Sequence, residues 1–82
     1  SVEEVMAFAR SMHRLVRSLT AREYEVLELL YDGATVAEIA ARFGVAQTTV
    51  RTQVKSILRK FEVGSQLAAV AAYDRYLRPP RS

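Results

Sequence analysis

The side chains best suited to chemistry in this chain are the basic and hydroxyl groups of residues 44–61. Residues 46–61 carry four positive charges and no negative one. Arginine and lysine can reach guanine O6 and N7 in the major groove of DNA, and hydroxyls with the first backbone N–H groups of a helix can hold phosphate. The segment therefore predicts a helix that binds duplex DNA. At helical spacing, one outer face carries Thr48, Arg51, Thr52, Lys55 and Arg59.

The opposite face of this segment is apolar and predicts the surface that anchors the helix. Its apolar members recur at the spacing of a single buried stripe, and they are Val50, Val54, Ile57, Leu58 and Phe61. A helix that reads DNA must be held rigidly. We therefore expect Val50, Val54, Leu58 and Phe61 to pack against Val26, Leu27, Leu30 and Ile39.

Length and composition narrow the class of protein. Eighty-two residues make one domain with a modest core, and the absence of cysteine excludes disulfides and thiolate metal sites. No apolar run approaches the roughly 20 residues needed to span a bilayer, and no secretory leader is visible. The net charge is only +3, but residues 20–33 hold one arginine against four carboxylates. This segregation marks the basic helix as the surface for a polyanion. The absence of cysteine fits a reducing compartment, and the expected location is cytoplasmic.

Capping signals divide the middle of the chain into two short helices. Thr20 and Glu23 form a capping box, as do Thr35 and Glu38. The first of these helices should end at Gly33 and the second, after residue 43, at a glycine that permits a tight turn. The basic helix follows within two or three residues. Two helices joined by so short a turn predict a helix-turn-helix unit.

A last helix should begin at Ser65 and continue through Leu77, where Pro79 and Pro80 would end it. No strand-like alternation, internal repeat or low-complexity segment is present. The expected fold class is therefore all-α.

The N-terminal segment predicts a further amphipathic helix. Its apolar stripe consists of Val2, Val5, Met6, Ala9, Met12, His13 and Val16. This helix could pack on the domain as a fifth helix, link it to another domain, or mediate dimerisation. A membrane-surface role is less favoured because the polar face mixes charges of both signs. His13, the single histidine, is expected to be partly buried in a core or interface rather than to bind a metal.

The middle and C-terminal parts of the chain resemble the LuxR-type (GerE-like) helix-turn-helix family of bacterial transcription regulators. The resemblance covers residues 19–77 in order and without gaps. It is carried by Leu19-Thr20-Ala21-Arg22-Glu23-Tyr24-Glu25-Val26-Leu27-Glu28-Leu29-Leu30-Tyr31-Asp32-Gly33, Glu38-Ile39-Ala40, Thr49-Val50-Arg51, Val54, Ile57-Leu58-Arg59-Lys60-Phe61, Val63-Gly64-Ser65 and Leu67-Ala68-Ala69-Val70-Ala71-Ala72.

The resemblance implies a four-helix DNA-binding domain over residues 19–78. Residues 1–18, which lie outside the resemblance, are expected to form an additional N-terminal amphipathic or linker helix, and residues 79–82 a tail. Its third helix, about residues 47–61, would enter the major groove of double-stranded DNA as the output domain of a transcription regulator. Bases would be contacted by Arg51, Thr52 and Lys55. Phosphates would be contacted by Thr35, Gln47, Thr48, Thr49, Gln53, Arg59 and Lys60.

The last helix often makes the dimer contact in this family. The resemblance therefore implies a homodimer on two DNA half-sites. The candidate interface residues are Ala68, Val70, Ala71 and Tyr73. We expect a monomer or weak dimer in solution and dimerisation on DNA. RNA polymerase is a further partner that this role allows.

Two positions depart from the family pattern. Many members have Ser or Thr where Ala46 stands, and the alanine side chain cannot accept the capping hydrogen bond. We therefore expect Gln47 or Thr48 to cap the helix instead and to shift its start by one residue. Many members have His where Gln53 stands, and glutamine can reach phosphate or an adenine edge.

Other functional classes have less support. The chain offers no base for a serine or threonine nucleophile and no phosphate-cradling glycine loop, so we expect no enzyme, no metal and no cofactor. An RNA-binding domain would usually present exposed aromatic side chains, which are missing here. The remaining alternative is an all-helical protein-interaction module. The exposed stripe of Arg51, Lys55 and Arg59 favours DNA.

Overall fold

The computed structural model describes residues 1–79, which form five α-helices and contain no strand. The predicted all-α class is confirmed. The helices are α1 (Val2–Arg17), α2 (Ala21–Tyr31), α3 (Val36–Phe43), α4 (Gln47–Phe61) and α5 (Gln66–Ala72), and a π-helical turn follows at Tyr73–Leu77. The helix predicted to enter DNA is α4.

Both predicted capping boxes are present and set the starts of α2 and α3. Glu23 N–H donates to Thr20 Oγ1 at 3.0 Å, and Thr20 N–H donates to Glu23 Oε1 at 2.8 Å. The corresponding distances for Glu38 and Thr35 are 3.1 and 2.9 Å. Each box satisfies two backbone donors that the first helical turn leaves without partners.

The turn between α3 and α4 follows the prediction, but the start of α4 does not. Gly44 adopts the left-handed conformation with φ of 67°, as the short turn requires. Ala46 is the N-cap of α4 and makes no side-chain hydrogen bond. The expectation that Gln47 or Thr48 would cap this helix was wrong. The Ala46 carbonyl accepts from Thr49 N–H at 3.0 Å, so the backbone alone starts the helix at Gln47.

A single core holds α4 against α2, α3 and α5. Its buried members are Val26, Leu27, Leu30, Ile39, Ala40, Val50, Val54, Ile57, Phe61, Ala69 and Tyr73. The predicted packing partners are therefore found, with one correction: Leu58 is only half-buried, whereas Ile57 is 1% exposed. One residue along a helix is a rotation of about 100°, which places Ile57 at the centre of the stripe and Leu58 at its edge.

Helix α1 packs on the domain as a fifth helix, which was one of the three roles predicted for it. Leu15 and Val16 pack against the core, and the rings of Phe8 and Tyr76 make an edge contact at 4.9 Å. No residue of α1 is fully buried. His13 is exposed in this chain, so the expectation of a core position was wrong, because the helix turns Leu15 and Val16 toward the core instead. The alternative of an interface position stays a prediction.

The last helix changes its winding before it ends. Regular α-helix stops at Ala72, and Arg78 N–H donates to Tyr73 O at 2.8 Å across a wider π-helical turn. Tyr73 is buried between the rings of Tyr24 and Tyr31, at centroid distances of 6.0 and 5.2 Å. The expectation of one helix through Leu77 was therefore wrong in its last turn. The role expected of Pro80 lies outside the described residues.

Candidate nucleic-acid interface

Helix α4 combines a fixed apolar face with an open basic face. Val50 and Ile57 are buried, so the helix cannot rotate about its axis without exposing core surface. The side chains that the sequence predicted for the outer face are all exposed. These are Thr48, Arg51, Thr52, Lys55 and Arg59. The fold therefore brings the predicted base-reading residues together on one surface.

Hydrogen bonds between residues one turn apart on α4 orient two of these side chains. Arg51 Nη2 donates to Gln47 Oε1 at 3.1 Å, which uses one of the five N–H groups of the guanidinium. Thr52 Oγ1 donates to the Thr48 carbonyl at 3.0 Å. The remaining guanidinium donors of Arg51 are available for a bidentate contact with guanine.

The first turn of α4 offers an open set of donors. Gln47, Thr48 and Thr49 are exposed, and no side chain caps the turn at Ala46. Uncapped N–H groups at a helix start, together with the helix dipole, favour an anion. The arrangement can hold a phosphate of the DNA backbone.

Thr35, at the start of α3, is exposed and already positioned by its capping box. Its Oγ1 accepts from Glu38 N–H, and its hydroxyl lies beside the Glu38 carboxylate, to which it can donate. Hydrogen bonds from the backbone and side chain of Thr35 lower the pKa of Glu38. The carboxylate therefore stays charged and keeps Thr35 in place at neutral pH.

Lys60 is placed differently from the other predicted phosphate contacts. Its Nζ lies 2.7 Å from Glu23 Oε1 and 2.9 Å from the Ser18 carbonyl oxygen. Burial alone would raise the pKa of Glu23, but hydrogen bonds from Lys60, Ser56 and Thr20 lower it to about 2. Because its ammonium is held by these two oxygens, Lys60 joins α4 to α2 and lies apart from the exposed basic face.

Arg59 belongs to the basic face, whereas Gln53 lies at the edge of that face on the side of Lys60. Arg59 is exposed, and its Nη2 donates to Ser56 Oγ at 3.3 Å. Gln53 is partly buried, and its Oε1 has no hydrogen-bond partner among residues 1–79. Arg59 can extend toward a phosphate, whereas the amide of Gln53 lies at the edge of the surface.

The candidate dimer residues of the last helix are not equivalent. Ala71 is exposed, and Ala68 and Val70 are half-buried. Tyr73 is 3% exposed and belongs to the core, so the structure does not place it at an open surface. Leu67, which was not among the candidates, is 78% exposed. It stands four residues before Ala71, so helical spacing alone could have identified it.

The acidic and basic segments occupy different surfaces. Glu25, Glu28 and Asp32 line an open groove with Leu29 and Arg42 on the side of α2 that faces away from the core. Since α4 packs on the core side of α2, this acidic groove lies away from the basic face. The charge segregation seen in the sequence is thus a segregation in space.

Residues 1–79 contain neither a metal-binding cluster nor a membrane-spanning helix. No group of three or more histidine and acidic side chains is arranged to hold a metal ion. No helix in this part of the chain is both long enough and apolar enough to cross a membrane.

Comparisons with known proteins identify the family. The family of bacterial regulatory proteins called the luxR family matches residues 17–72. The chain is 41% identical over 61 residues to the probable transcriptional regulatory protein SgaR of Hyphomicrobium methylovorum. That match covers 74% of this chain and 29% of the relative, so the chain spans less than a third of the relative's length. No solved structure matches the chain. The luxR family consists of regulatory proteins, which agrees with the expectation that this chain is not an enzyme. The chain belongs to this family and is a LuxR-family helix-turn-helix DNA-binding domain.

Proposed function

We propose that this domain recognises a specific duplex sequence by placing α4 in the major groove. Arg51, Thr52 and Lys55 would contact base edges. The observation that carries the proposal is the geometry of α4, whose apolar face is locked in the core while its basic face is open. A rigid helix with exposed guanidinium and ammonium groups fits the width of the groove and its acceptor pattern.

The proposed phosphate contacts surround these base-reading residues. They are Thr35, Gln47, Thr48, Thr49, Gln53 and Arg59. The uncapped start of α4 and the exposed position of Thr35 support contacts on one side, and the exposed guanidinium of Arg59 supports one near the other end. Lys60 is left out because Glu23 and Ser18 hold its ammonium.

The domain would act as a homodimer on two half-sites, because a single recognition helix reads only a few base pairs. The proposed interface is the exposed side of α5, with Ala71 and Leu67 at its centre and Ala68 and Val70 at its edge. Tyr73 is omitted because it is buried. Residues 19–78 would serve as the cytoplasmic output domain of a transcription regulator, and RNA polymerase would be a further partner in that role.

Titration against two duplexes tests the proposed base contacts. One duplex is selected from a random library with the domain, and the other is its scrambled version. Arg51→Ala and Lys55→Ala should each weaken binding to the selected duplex by about 1–3 kcal/mol and should affect the scrambled duplex less. Arg14→Ala, which removes an exposed charge from α1, is the control. Equal losses on both duplexes would reduce Arg51 and Lys55 to phosphate contacts.

Cooperative binding to a palindromic duplex tests the proposed interface. Ala71→Asp should abolish cooperativity while leaving affinity for a single half-site unchanged, since the new carboxylate would be desolvated between two α5 helices. Ala7→Asp adds the same charge at an exposed position of α1 and should leave cooperativity intact. Cooperative binding by the Ala71→Asp variant would rule out α5 as the interface.

A further inference from the structure

Helix α1 carries a second apolar surface that the domain leaves uncovered. Val2, Met6, Ala9, His13 and Val16 are spaced by four, three, four and three residues. We call this set the α1 seam. Such alternation is the heptad spacing by which two helices pair along their length. Val2 is 78% exposed and Met6 is 52% exposed, while Ala9 and Val16 are half-buried.

The α1 seam is distinct from the face that attaches α1 to the domain. Attachment uses the Phe8–Tyr76 ring contact and the packing of Leu15 and Val16 on the core, so Val16, the last residue of the seam, borders both faces. On a helical projection, Phe8 and Leu15 lie roughly 120° or more from Met6 and His13. The domain therefore fixes α1 in place while leaving most of the seam open.

We propose that the α1 seam pairs with the α1 seam of a second copy of this chain, with the two helices antiparallel. This inference goes beyond DNA recognition and does not depend on it. The charges that flank the seam identify the partner and its direction. Glu3, Arg10 and Arg17 each follow a seam residue directly, all three are exposed, and none has an ion-pair partner within residues 1–79.

An antiparallel pair brings opposite charges together at both ends. With Met6 opposite the second copy's His13, Glu3 falls within one residue of the second copy's Arg17, and two-fold symmetry repeats this pair. Only Arg10 meets its own copy, close to the symmetry axis. A parallel pair would instead place Arg10 and Arg17 beside the second copy's Val5 and Met12, which flank the other side of the seam, and would form no such ion pair.

The size of the seam sets the strength of this association. A pair of helices that contact over four turns buries less than the roughly 1,200 Å² of a small stable interface, so the dimer should be weak. Pairing through α5, proposed above for half-site binding, uses a different surface. The two contacts can therefore coexist, and α1 pairing would connect neighbouring DNA-bound dimers.

Sedimentation equilibrium without DNA, over a concentration series into the millimolar range, tests the seam. The parent chain should form a dimer at the upper end, and Met6→Asp should weaken association by about tenfold or more because its carboxylate would be buried in the seam. Ala7→Asp, on another face of α1, should associate like the parent. Ala71→Asp should do the same, which separates this inference from the α5 interface. A parent that stays monomeric throughout, or equal losses for Met6→Asp and Ala7→Asp, would overturn the proposal.

A charge exchange tests the antiparallel direction. Glu3→Arg and Arg17→Glu should each weaken the dimer, and the double variant should recover the parent's association because both pairs re-form with reversed polarity. Circular dichroism melts check that every variant remains folded. No recovery in the double variant would overturn the antiparallel pairing. Binding of the monomer to anionic vesicles in a Met6-dependent way would assign the seam to a membrane surface and would likewise overturn it.

Discussion

The Nζ atom of Lys60 lies 2.7 Å from Oε1 of Glu23, which ties the last turn of α4 to the first turn of α2. Both side chains are largely shielded from solvent, and Lys60 also donates to the Ser18 carbonyl at 2.9 Å. Glu23 simultaneously closes the capping box of α2. One carboxylate thus caps a helix and holds the end of the recognition helix in place.

Acid should weaken the domain through Glu23. Its pKa is lowered from 4.5 to about 2, so its contribution to stability is complete above pH 4.5 and is lost as the pH falls toward 2. Glu23→Gln should lower the free energy of unfolding at neutral pH by roughly 1–3 kcal/mol and should flatten its decline between about pH 5 and 3. Urea melts across this range measure both effects. Glu25→Gln, at an exposed position of the same helix, should change neither.

Lys60 and Arg59 should separate stability from DNA binding. Lys60→Ala should lower the melting temperature, because it leaves Glu23 as a shielded charge without its partner. Its effect on the salt dependence of DNA binding should be small. Arg59→Ala should leave the melting temperature almost unchanged and lower the slope of log affinity against log salt by about 0.9, as expected for one lost phosphate contact. If Lys60→Ala lowered the salt slope and left the melting temperature unchanged, Lys60 would be a phosphate contact after all.

The adjacent residues Ile57 and Leu58 should respond unequally to truncation. Ile57→Ala should cost about 2–5 kcal/mol because it opens a cavity in a filled core. Leu58→Ala should cost less, about 1–2 kcal/mol, because Leu58 already meets solvent. Denaturant unfolding of the two variants gives the comparison. A larger loss for Leu58→Ala would mean that α4 is rotated relative to the packing described above.

Ala46→Ser should stabilise the domain. Ala46 is the N-cap of α4 without a side-chain hydrogen bond, and a serine hydroxyl there can accept from the first turn at a gain of about 1 kcal/mol. Ala41→Ser, inside α3 and exposed, should instead cost about 0.5 kcal/mol through lower helix propensity. Thermal melts of the two variants should therefore move in opposite directions. A lower melting temperature for Ala46→Ser would show that the backbone there cannot accommodate a side-chain cap.

Local signals in the sequence were sufficient for most of the fold. The capping boxes at Thr20 and Thr35, the N-cap at Ser65 and the turn at Gly44 involve groups within a few residues of each other, so their chemistry can be read from spacing. The basic outer face of α4 followed from helical periodicity in the same way.

The tertiary structure alone decided which partner each surface residue meets. Lys60 has the charge of a phosphate contact, but its partner Glu23 is 37 residues away in sequence. Tyr73 lies only two residues after the exposed Ala71, yet Tyr24 and Tyr31 enclose it. His13 lies on an apolar stripe, but the docking of α1 through Phe8 and Leu15 leaves it in solvent. The periodicity of one helix identifies a surface, whereas the packing of distant helices determines whether that surface is buried.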